Sequence, residues 1–103
     1  MAYPQFDFDN VPKPIRSEDD VENNVTTYYF VQNKGTGFNK HLHDHEHIIT
    51  CTKGSMRIYH GENDTYTITA GDPPAKMELG VIHASENLED GTEFYITHPL
   101  GLM

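Results

Sequence analysis

Between residues 25 and 98 short β-branched and aromatic runs alternate with clusters of turn residues. Val25 to Val31 reads Val-Thr-Thr-Tyr-Tyr-Phe-Val, a composition suited to a pleated, half-buried surface. Asn33 to Gly37 is a turn, and a long extended stretch from Asn39 to Thr52 ends at Lys53-Gly54. Met56 to His60 leads into the turn Gly61-Glu-Asn-Asp64. Thr65 to Thr69 sets Tyr66 and Ile68 against three threonines, the alternation of a strand with one apolar face. After Ala70-Gly-Asp-Pro-Pro74, further strands are predicted over 77–83 and 92–98. Ten threonines and six tyrosines against four alanines leave little material for a helix. Short strands at near-regular spacing predict an all-β sandwich or barrel.

Residues 1–24 follow a different pattern. Pro4, Pro12 and Pro14 oppose a helix, and six acids accompany two bases, so an extended N-terminal arm is predicted ahead of a single domain over 25–103. Phe6 and Phe8 alternate with Asp7 and Asp9, the pattern of an edge strand. At 103 residues there is room for one core only, and a core this small gains from a metal or a partner subunit.

Charge narrows the function classes. Seven Lys and Arg against 16 Asp and Glu give a formal charge of −9, which disfavours nucleic acid and anionic membranes as partners. No apolar stretch reaches the length of a membrane span, and the N-terminus lacks the basic and apolar regions of a signal peptide. Cys51 is the single cysteine, so no disulfide framework exists and a reducing, cytoplasmic setting is expected. By alternation Cys51 points inward, as a small buried residue rather than a reactive thiol.

The chemistry concentrates in the histidines. Four of seven fall in His41-Leu-His-Asp-His-Glu-His47. In a helix, His43 and His47 would share a face at the i, i+4 spacing used for zinc. The Ile48-Ile-Thr-Cys-Thr52 that follows favours a strand, in which 41, 43, 45 and 47 share one face. His83 stands apart in Gly80-Val-Ile-His-Ala-Ser-Glu-Asn87.

Together these segments resemble the two sequence motifs of the cupin superfamily. The first reads Gly35, five residues, His41-x-His43, three residues, His47, six residues, Gly54, with His47 where the family usually has Glu. In the second, Gly80, His83 and Asn87 fit; Gly71 stands one residue early and Glu78 replaces the usual Pro. Sixteen residues between Gly54 and Gly71 match the short spacer of small single-domain members. The resemblance spans residues 35–98 and implies a cupin-type jelly-roll β-barrel, or double-stranded β-helix. It also implies a divalent transition metal, one per chain, held by His41, His43, His47 and His83. This set is most similar to that of the small manganese-binding monocupins; manganese or iron is favoured, with nickel and zinc as alternatives. Strand parity agrees for 41, 43 and 47 and opposes Glu46 as a substitute ligand. His45 is expected to face solvent or to stand behind the ligands, and His60 and His98 are assigned structural places.

Four neutral ligands would leave the ion's full charge and two open positions on an octahedral metal. An anionic small-molecule substrate is therefore expected. The resemblance implies a metal-dependent enzyme, foremost an oxygen-using, dioxygenase-like oxidoreductase. The alternatives are a non-redox lyase or isomerase acting on a small carboxylate or sugar derivative, or a non-catalytic module binding an anion or metal. Met56, Ile58 and Phe94 are candidate cavity lining, and Arg57 falls on the opposite face. No residue stands out as a general base; Tyr28, Tyr66 and Gln32 are among the candidates. Small cupins commonly pair, so a homodimer is expected in which residues 5–9 cross or border the partner.

Overall fold

A computed structural model describes residues 13–41, 46–61 and 64–99. They form nine strands: β1 (Arg16–Asp20), β2 (Val25–Gln32), β3 (Gly37–His41), β4 (His47–Lys53), β5 (Ser55–His60), β6 (Asp64–Thr69), β7 (Ala75–Met77), β8 (His83–Asn87) and β9 (Thr92–Pro99). All observed pairings are antiparallel, in one sheet ordered β1-β2-β9-β4-β7 and another ordered β3-β8-β5-β6. The last eight strands pair from the outside inward, β2 with β9, β3 with β8, β4 with β7 and β5 with β6. That nesting is the double-stranded arrangement of a jelly roll, and β1 extends one edge.

The strands alternate as a sheet with one buried face must. Along β9, Thr92, Phe94, Ile96 and His98 are buried while their neighbours are partly exposed. Phe30 stacks on Phe94 at 4.8 Å between ring centroids and meets Phe38 edge-on at 5.6 Å. Met56, Ile58, Met77 and Phe94 are at most 2% exposed and belong to the packed interior. Cys51 belongs to this core, and burial pushes its thiol pKa up, which fits a packing role.

Two predicted elements fall differently. The expected strand over 77–83 is the corner between β7 and β8: the Val81 N–H reaches back to the Glu78 carbonyl, and Gly80 takes a positive φ of 73°. Alternation of Met77, Leu79 and Val81 conceals a bend that only Gly80 signals. The long stretch from Asn39 to Thr52 divides into β3 and β4, which lie in different sheets. Within the region read as an arm, Arg16–Asp20 forms β1, fully exposed and paired with β2. The predicted strand around Phe6 and Phe8 lies outside the described residues.

The glycines and Asn87 of the two motifs hold the frame. The Gly35 N–H donates to the Asn87 carbonyl, and the Asn87 N–H donates to the Thr36 carbonyl, which ties the start of β3 to the end of β8. The Asn87 side-chain amide also donates to Thr36 Oγ1. Gly54 turns β4 into β5 at φ 79°, and a Cβ there would lie 2.7 Å from Thr92 Oγ1, so both conformation and space demand glycine.

Candidate metal centre

The chain folds so that two rows of histidine cross the barrel at one end. In the four-stranded sheet, His41 pairs with His83, His83 with His60, and His60 with Asp64. In the five-stranded sheet, His98 pairs with Thr26, and Ile48 beside His47 pairs with Thr97 beside His98. The corner 78–82 joins β7 of one sheet to β8 of the other at this same end. Alternation turns each ring inward: His60 follows Met56 and Ile58, His83 precedes Ser85 and Asn87, and His98 follows Phe94 and Ile96.

The rings meet in two pairs. His41 and His83 pack edge to face at 4.3 Å between centroids. His47 and His98 stack at 5.4 Å, and Tyr28 stacks on the other side of His98 at 5.3 Å. His47, His83 and His98 are each 4% exposed. Among the described residues no three His, Cys, Asp or Glu side chains gather closely enough to hold a metal ion. His43, the remaining histidine of the predicted set, and His45 lie outside the described residues.

Backbone carbonyls orient three of the rings. His41 Nδ1 lies 2.5 Å from the Asn39 carbonyl, His83 Nδ1 lies 3.0 Å from the Val81 carbonyl, and His98 Nδ1 lies 2.8 Å from the Pro99 carbonyl. A carbonyl only accepts, so each Nδ1 carries the hydrogen, and in the neutral ring the lone pair sits on Nε2. Metal-binding histidines use this arrangement: a hydrogen bond at one nitrogen fixes the tautomer and aims the other. Local sequence produces it, since in the first two cases the carbonyl belongs to the residue two positions earlier. For His83 that residue is Val81 of the Gly80 corner, which forms with Glu78 in place of proline.

Among the described residues the interior holds no counter-charge. The buried polar residues described are Thr, Ser, Asn and His, with no carboxylate, lysine or arginine among them. Glu46 turns outward to Lys76, 3.1 Å away, as its parity predicts. Arg57 faces outward as expected, 3.5 Å from Glu86 in a half-exposed ion pair. Of the candidate bases, Tyr28 stands inward beside His98. Tyr66 sits opposite Ile58 on the edge strand, where desolvation and then Asp64 push its phenol pKa up. Gln32 is paired with Thr92, at the other end of the barrel. His60 and His98, assigned structural places from the sequence, both lie in the inward histidine layer. Their strand parity relative to Met56, Ile58 and Phe94 is the signal that locates them.

No protein-family model matches the sequence, and no curated protein matches it either. Solved structures do. A conserved protein of unknown function from Streptococcus pyogenes superposes with a TM-score of 0.66 at 19% identity, covering 75% of this chain and 65% of its own. Oxalate decarboxylase from Bacillus subtilis superposes with a TM-score of 0.68 at 20% identity over 78% of this chain. A structure of that enzyme used to assign its Mn(II) centres matches equally well. This chain spans 65% of the length of the streptococcal protein and 22% of the decarboxylase. No helix among the described residues is long and apolar enough to cross a membrane. At such identities the likeness speaks for architecture, and with the strand nesting and two-sheet order it shows that the chain adopts the cupin-type jelly-roll fold.

Proposed function

We propose that the protein is a metal-dependent enzyme acting on a small carboxylate, with one divalent ion, manganese or iron, held by His41, His43, His47 and His83. The observation that carries this reading is the common orientation of His41 and His83: each Nδ1–H is tied to a carbonyl of its own strand or corner, and the rings meet at 4.3 Å in the barrel interior. Such a pair suits one ion through Nε2. His47 faces the same end from β4, and His43 is two residues beyond His41. The likeness to a decarboxylase with Mn(II) centres supports the metal and the substrate class.

The chain's own residues would fix the rings, exclude water through the packed layer of Met56, Ile58 and Phe94, and leave the site electropositive. When bound, the ion would supply Lewis acidity and, if manganese or iron, access to one-electron chemistry. With only neutral ligands its charge stays at +2, which favours an anionic substrate.

The reaction we propose is oxygen-using oxidation of that carboxylate. A second reading, non-redox cleavage of the same substrate class, is favoured by the decarboxylase likeness. One experiment separates them. The manganese- or iron-loaded protein is given a panel of small keto, hydroxy and dicarboxylic acids while dissolved oxygen and released carbon dioxide are followed. Substrate-dependent oxygen consumption is expected. Carbon dioxide release without net oxygen consumption would establish the second reading, and neither signal from any member would refute both.

A further inference from the structure

His60, like His98, belongs to the histidine layer but not to the proposed metal ligands. It ends β5 on the inward face, opposite His83 on one side and Asp64 on the other. Its Nε2 is buried without a hydrogen-bond partner among the described residues. Its Nδ1 lies 4.0 Å from Asp64 Oδ2, and that negative charge favours the hydrogen on Nδ1. The neutral ring therefore carries an acceptor lone pair at Nε2, in the interior and one strand from a proposed metal ligand. A buried acceptor left unsatisfied is costly, so a hydrogen-bond donor is the expected occupant beside it.

From this we infer that His60 is a specificity-determining contact, whose Nε2 accepts the hydroxyl hydrogen of a 2-hydroxycarboxylate bound at the metal through its carboxylate. The inference rests on the proposed metal site and narrows its substrate class from small carboxylates to hydroxylated ones. Acceptor geometry supplies the discrimination. A ligand with a hydroxyl satisfies Nε2, whereas an analogue without one leaves it buried and unmet.

The test compares glycolate with acetate, because glycolate binds a metal more tightly than acetate for reasons of chelation alone, and only the change between variants isolates His60. Titration calorimetry is run on metal-loaded parent, His60→Phe and His60→Gln proteins, with metal content measured on each. His60→Phe keeps a planar ring and removes the acceptor; His60→Gln restores an acceptor oxygen. All three should hold equal metal. His60→Phe should lose about tenfold in glycolate affinity while acetate changes less than about twofold, and His60→Gln should recover most of the loss. Equal loss for both acids, or no loss for glycolate, overturns the inference while the metal site stands. Loss of metal in both variants also overturns it, by making His60 a ligand. A parent protein that takes up no metal overturns the proposed function itself, and a parent that holds metal but binds neither acid overturns the contact alone.

Discussion

Replacing His83 by alanine is expected to lower the affinity for manganese or iron by at least about a hundredfold. Loss of a mere outer partner to a ligand already costs about ten- to a hundredfold. His83 is the sole proposed ligand outside the 41–47 cluster, and it approaches from β8 in register with both His41 and His60. If the cluster bound metal adventitiously, His83→Ala would leave the affinity unchanged. The residue is 4% exposed, so alanine also opens a cavity, and His83→Gln with a thermal melt separates misfolding from loss of a ligand. His60→Ala should retain the metal. Titration with manganese under competition from a chelator reads all three variants, and full affinity in both His83 variants would contradict the assignment.

His47→Glu carries the second large effect. This position departs from the usual cupin pattern, and with histidine a bound ion would keep its full +2 charge. Glutamate is a competent ligand at the same place, so the variant should still bind metal, whereas His47→Ala should bind it poorly. The site charge, however, falls by one unit. At an effective dielectric constant near 20, one unit charge about 4 Å away is worth roughly 4 kcal/mol. Even a third of that after screening is about tenfold in affinity. The described interior offers no buried cation to compensate. Calorimetry with oxalate should therefore show binding about tenfold weaker in metal-loaded His47→Glu than in the parent. Equal or tighter binding would mean that site charge does not select the ligand.

Most of the architecture was legible because β alternation is short-ranged. Val25–Gln32, Ser55–His60, Asp64–Thr69 and Thr92–Pro99 lie within a residue or two of their predicted limits. Alternation fails where the chain bends without losing its period. Met77, Leu79 and Val81 keep the rhythm through a corner, and the cluster from His41 to His47 runs across a change of sheet. The nesting of strands also lay beyond local pattern, since it depends on which edges meet across the barrel. At the site, motif spacing singled out His41, His43, His47 and His83, and the fold brings the three of these that are described to one end. The same spacing had nothing to say of His60 and His98, which belong to no motif and join the layer through their pairing with His83 and Thr26. The carbonyls that orient the rings were equally invisible, because each depends on the backbone path at Asn39, Val81 or Pro99.

The central claim is that one ion sits among these imidazoles with each Nδ1–H of His41 and His83 still held by its carbonyl. Cobalt(II) substitution followed by proton NMR tests this most directly. The account predicts strongly shifted, exchangeable ring N–H resonances that vanish in deuterium oxide, one of them absent in His41→Ala and another in His83→Gln. A cobalt-loaded protein with no shifted exchangeable resonance, or with the same set in every variant, would contradict it.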